Sequence, residues 1–135
     1  MKKTEQRIKL ARTLLKFRRL GLQETELSVF DVCALIRGSC RNVDEANALF
    51  AVWELRRLLY ATGKADALRA FERVYLSRAA YVGGDISSRI IKYSFSYHCD
   101  PRTVYRQLEY VERLYIKILD QTKKDNAPSN RIAEK

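Results

Sequence analysis

Arg102 and Arg106 stand four residues apart in "CDPRTVYRQLE", residues 99–109. On a helix that spacing puts both guanidinium groups on one face, one turn apart. Thr103, Tyr105 and Glu109 share the same short stretch. A guanidinium fork can donate two hydrogen bonds to O6 and N7 of a guanine, worth about 1–3 kcal/mol of discrimination per pair. A tyrosine hydroxyl can donate to a phosphate oxygen, which positions a protein on a duplex without reading its sequence. This is the chemistry of nucleic-acid recognition rather than of bond cleavage. Five of the eight tyrosines fall between Tyr93 and Tyr115, in and around the same segment.

Catalytic chemistry has little to build on. The chain has no P-loop, no G-x-G-x-x-G and no paired-carboxylate signature. His98, the only histidine, adjoins Cys99 in a turn, with no third group to orient a nucleophile. Cys33, Cys40 and Cys99 have neither paired metal-ligand spacing nor an even count. No enzyme activity, metal or cofactor is expected. The unpaired cysteines fit a reducing cytoplasm.

The elements around the cluster must present it. Asp100 is suited to accept hydrogen bonds from the free N–H groups of a first helical turn, and Pro101 suits the first helical position. From there Val104, Leu108, Val111, Tyr115 and Ile118 recur at spacings of four and three, predicting a helix over 101–123 with one buried stripe. Arg102, Thr103, Tyr105, Arg106 and Glu109 fall off that stripe. The preceding segment predicts a short helix over about 86–97. Ser94 would be the small residue where the two helices cross, with Tyr93, Tyr97, Cys99, Val104 and Leu108 buried around the corner. Such a pair is the layout of a helix-turn-helix, whose second helix enters the major groove. Arg89 and Lys92, on the first helix of the pair, join the expected DNA-facing set.

At this corner the chain resembles a known group. "CDPRTVYRQL" is similar to the V-S-x-R-T-V-Y-R-x-L corner of bacterial helix-turn-helix regulators and of the promoter-binding end of sigma factors. A small basic helical chain ending in that module, with "FERVYL" before it, resembles the phage late-gene activators of the ArpU and RinA kind. The likeness to the corner covers about 20 residues. It implies base and phosphate contacts by Arg102, Tyr105 and Arg106, backbone hydrogen bonding by Thr103, and a regulator encoded by a phage or mobile element. This sequence departs from the pattern twice. His98 stands where such turns carry glycine, and a residue other than glycine is disfavoured at positive φ. Phe95 stands where a polar residue is usual, which implies cover from the N-terminal helices.

The rest of the chain predicts supporting helices and no strand. The expected architecture is an all-α bundle of about six helices. A first helix runs from an N-cap at Thr4 to Leu20 and stops at Gly21, with Ile8, Ala11, Leu14, Leu15 and Phe17 as its apolar positions. A second, about 26–37, buries Val29, Val32, Cys33 and Ile36 and ends at Gly38. Asn42 and Glu45 have capping-box spacing at the head of a third helix that ends at Gly63. Its wide apolar surface, with Ala46, Leu49, Phe50, Val52, Trp53, Leu55, Leu58 and Leu59, predicts a central position. A fourth, about 65–81, carries Leu68, Phe71, Val74 and Tyr75 before "GGD" at 83–85. The organisation expected is a bundle over 1–85, a helix-turn-helix over 86–123 and a polar tail over 124–135.

Charge adds a direction. The chain of 135 residues has 26 Lys and Arg against 16 Asp and Glu, a net +10, and such an excess favours an anionic partner. Residues 2–20 hold eight basic side chains and one acid. Lys9, Arg12, Lys16 and Arg19 could therefore lie along a DNA backbone. A solvated face, an RNA-binding arm and a membrane-surface helix are the other readings of that run, the last disfavoured by its scarcity of aromatic residues. No apolar run approaches the length needed to span a bilayer. The leading expectation is a cytoplasmic transcriptional regulator bound to double-stranded DNA, its N-terminal bundle free to form a homodimer or touch RNA polymerase. The alternative is a helical protein-interaction module with an acidic partner.

Overall fold

The computed structural model describes residues 2–23, 26–76 and 86–126, and within them the chain is all-α. Six helices follow one another: α1 (Lys2–Arg19), α2 (Val29–Ser39), α3 (Val43–Ala61), α4 (Ala65–Tyr75), α5 (Ile86–Ser96) and α6 (Pro101–Asn126). None of the helices among the described residues is long and apolar enough to cross a membrane.

Local chemistry sets the boundaries. Ser28 caps α2 by accepting from the Asp31 N–H, and the Asp31 carboxylate accepts from the Ser28 N–H in return. This reciprocal box starts α2 at Val29, later than expected, and leaves Val29 61% exposed instead of buried. Gly38 lies inside α2 rather than ending it, the cap falling at Cys40. Asn42 accepts from the Glu45 N–H at 2.9 Å and starts α3 as expected. The Glu45 carboxylate turns away to pair with Lys16 instead of closing the box. Thr4 lies inside α1 and does not begin it.

Three helices end by one device. A residue with positive φ turns the chain, and the next N–H donates back to a carbonyl five residues earlier. Leu22 donates to Phe17 after Gly21, Lys64 to Leu59 after Gly63, and Cys99 to Ser94 after His98. Gly21 and Gly63 sit at φ 73°, where glycine carries no Cβ penalty. His98 sits at φ 53° and carries one. His98→Gly is therefore expected to raise stability by roughly 0.5–1 kcal/mol, the relief of that penalty less glycine's extra unfolded-state entropy. Urea unfolding should show the gain, and an unchanged or lower midpoint would contradict the account.

The core is continuous. Leu10, Leu14 and Phe17 of α1, Val32 and Ile36 of α2, Leu49, Val52, Leu55 and Leu59 of α3, Leu68, Phe71 and Val74 of α4, Ile90 of α5, and Val104, Leu108 and Val111 of α6 belong to one buried cluster. The expected boundary near residue 85 lies outside the described residues, as do the end of the expected fourth helix and residues 127–135. Residues on either side of it share that core. α3 touches α1, α2, α4 and α6, and α6 touches α1, α3, α4 and α5, so these two helices share the centre. α3 runs antiparallel to α6: Asp44 and Ala48 lie beside Tyr115 and Leu119, whereas Gly63 and Lys64 lie beside Thr103 and Arg106.

Some apolar residues are not core. Ile8 is exposed and Leu10 takes the buried place on α1, because the α1 face turned toward α3 and α6 holds Leu10, Ala11, Leu14 and Phe17. Phe95 is 83% exposed, so the N-terminal helices do not cover that side of α5. Tyr97 is 42% exposed. Its ring stacks on the buried Tyr93 at 4.4 Å between centroids and covers the corner from outside.

Candidate nucleic-acid interface

The corner between α5 and α6 occupies residues 97–100. Ser94 is buried where the helices cross, its hydroxyl turned back to the Ile91 carbonyl at 2.8 Å, so its polar atom is satisfied within its own helix. Asp100 caps α6, its carboxylate accepting from the Arg102 N–H at 2.8 Å while its carbonyl accepts from Thr103 at 2.9 Å. Pro101 is the first helical residue. The start and direction of α6 are thus held by the groups the sequence pointed to.

Val104, Leu108, Val111 and Tyr115 are buried and orient α6. At about 100° of rotation per residue, Arg102, Arg106, Glu109 and Arg113 fall on the side opposite that stripe. The ridge carries more cations than it neutralises. Arg113 pairs with Glu109 at 2.6 Å, so the Glu109 carboxylate is already engaged. Among the described residues neither Arg102 nor Arg106 has an ion-pair partner, and both are exposed. The ridge thus ends, at its N-terminal tip, in two open guanidinium forks one turn apart.

The remaining candidates flank the ridge on opposite sides. Tyr105 leans toward α5, its hydroxyl donating to the Ser87 hydroxyl at 3.4 Å. Thr103 and Arg106, with Gln107 and Tyr110, line a groove of about 330 Å³ against Gly63, Lys64, Asp66 and Ala67 of the α3–α4 corner. The Lys64 ammonium lies 4.5 Å from the centre of the Tyr110 ring.

Other expected residues lie elsewhere. Arg89 is about 200° around α5 from Ser87, on the flank away from Tyr105. Its side chain is half-buried and engaged, and Lys92 is exposed on the outer side of α5. Lys9 and Arg12 line a second groove with Leu119, Asp120 and Lys123. That site lies about 15–27 Å along α6 from Tyr105. Lys16 is tied to Glu45 and to the Ser39 carbonyl. Arg19 is exposed at the end of α1. Compared with protein-family models, curated proteins and solved structures, the chain matches none.

Much of the basic run in α1 is used inside the protein. Arg18 pairs with Glu72 at 2.8 Å and Arg7 with the buried Glu112 at 3.2 Å. Arg7 also donates to the Tyr75 hydroxyl at 3.4 Å. Burial opposes the Arg7 charge, but Tyr75 and Glu112 outweigh it and leave the guanidinium pKa raised. Burial raises the pKa of the Tyr115 phenol, and the neighbouring Thr13 hydroxyl works against that rise. The seam between α1 and the later half of α6 is therefore a structural contact.

Two relevant residues escaped the sequence reading. Glu112 stood four residues after Leu108, a carboxylate on the edge of an apolar stripe facing a cation-rich first helix, and that was a readable signal. Lys64 followed a helix stop and had no local signature, since only tertiary packing brings it to Tyr110.

Proposed function

We propose that the chain is a sequence-specific DNA-binding transcriptional regulator that reads the major groove of double-stranded DNA with the first turns of α6. The observation that carries this reading is the pair of open guanidinium forks, Arg102 and Arg106, on a capped helix tip that follows a tight corner. An α-helix with its side chains is about 10–12 Å across and the major groove is about 12 Å wide, so the ridge can enter it. The forks would then read guanine edges. Tyr105 and Ser87 on one flank would donate to phosphate oxygens, positioning the helix.

The net +10 charge would raise the rate of encounter with the duplex. A second copy of the chain, or RNA polymerase, would use surfaces other than the ridge, and Phe95 and Phe30 are the most exposed large apolar side chains among the described residues. The second reading, a helical protein-interaction module with an acidic partner, would draw on the same net charge.

Backbone NMR shifts during titration with a 20-base-pair duplex test the reading. The expected perturbations centre on residues 101–110 and 87. Shifts confined to α1, or none at all, would contradict it.

A further inference from the structure

We propose that the groove between the α3–α4 corner and α6 seats one phosphate strand of the duplex, with Lys64 as its charged contact. This rests on the reading of α6 as a major-groove helix. A helix that fills the major groove turns the side chains of its inward ridge to the bases and its flanks to the sugar–phosphate walls. Groups standing beside it, on neighbouring elements, meet the sugar–phosphate walls. Lys64 is such a group. It belongs to the α3–α4 corner, not to α6, yet it lies against the flank of the reading helix, one turn beyond Arg106 at the level of Tyr110.

The surroundings leave its charge available. Lys64 is exposed and its ammonium rests on the Tyr110 ring, which holds it by cation–π attraction without neutralising it. Asp66, the carboxylate lining the groove, is paired with Arg69 at 3.3 Å. Thr103, Arg106 and Gln107 complete the polar lining. A phosphate entering here would meet an oriented ammonium and a hydroxyl, while the Arg106 fork stays with the bases. On the opposite flank Tyr105 and Ser87 offer hydroxyls without charge. The two walls of the DNA groove would thus be held differently, one by a charge and one by neutral donors. Only the first should depend steeply on salt, because only a cation displaces condensed counterions.

The test is the salt dependence of duplex affinity for wild type, Lys64→Ala, Tyr110→Leu and Arg37→Ala, each first shown by circular dichroism to melt as wild type does. Lys64→Ala should flatten the log–log slope by about 0.9, the loss of one phosphate contact. Tyr110→Leu keeps the charge but removes its seat, so it should keep the slope while weakening binding a few-fold. Arg37→Ala, exposed on α2 and outside every expected DNA contact, should leave both unchanged. A Lys64→Ala slope equal to that of wild type would overturn the groove assignment while leaving duplex binding intact. So would a slope change seen with an RNA hairpin and not with the duplex. A wild type that binds no duplex would overturn the reading of α6 itself.

Discussion

Arg7→Ala should destabilise the protein by about 3–5 kcal/mol, the usual consequence of leaving a buried charge without its partner. The Glu112 side chain is 4% exposed and that of Arg7 14%. One carboxylate oxygen takes the Arg7 Nε–H, and the other is buried without a hydrogen-bond partner among the described residues. Truncating Arg7 strands that carboxylate and also removes the donor to Tyr75. Domains of this size are stable by only about 5–15 kcal/mol, so the loss is a large share of the whole. The pair need not be a net source of stability. Arg7→Met combined with Glu112→Leu should return to within about 1 kcal/mol of wild type, because apolar replacements remove both desolvation costs together. Urea unfolding of the three proteins decides. An Arg7→Ala loss below about 1 kcal/mol would mean that the carboxylate is rehydrated rather than stranded.

Arg102→Ala combined with Arg106→Ala should reduce affinity for a preferred duplex at least thirtyfold, from about 1–3 kcal/mol per guanine pair. Affinity for unrelated duplex should fall far less, because phosphate contacts carry no sequence information. Both side chains are exposed and without an ion-pair partner among the described residues, so the folded state loses little with them. Equal losses on preferred and unrelated DNA, measured by fluorescence anisotropy at one salt concentration, would make both arginines phosphate contacts only.

The parts of this fold legible in the sequence are those governed by local chemistry. The four-and-three spacing from Val104 to Tyr115 identified the buried face of α6 because that spacing follows the helical period. Asp100-Pro101 marked the start of α6, and Gly21 and Gly63 marked two ends, since cap geometry is decided within a few residues. His98 was placed at positive φ by the same logic. What escaped depends on which element lies across the way. Tyr97 and Phe95 are apolar, but residue type does not say whether a neighbouring helix will cover them. Arg7, Lys16 and Arg18 read as a charged outer face until Glu112, Glu45 and Glu72 were brought to them from three other helices. The candidate site divides in the same way. Arg102 and Arg106, and the rotation of about 200° between Thr103 and Tyr105, were legible from their own helix, whereas what stands on each flank, Ser87 on one and Lys64 on the other, came from tertiary placement.

The most direct measurement is selection from a random duplex library at about 150 mM salt, run in parallel on wild type and on the Arg102→Ala/Arg106→Ala protein. The account predicts a guanine-containing motif enriched by wild type and lost by the variant, and a palindrome within it would imply a dimer. Enrichment of nothing by either protein, or of the same motif by both, would contradict the claim that the first turns of α6 read DNA.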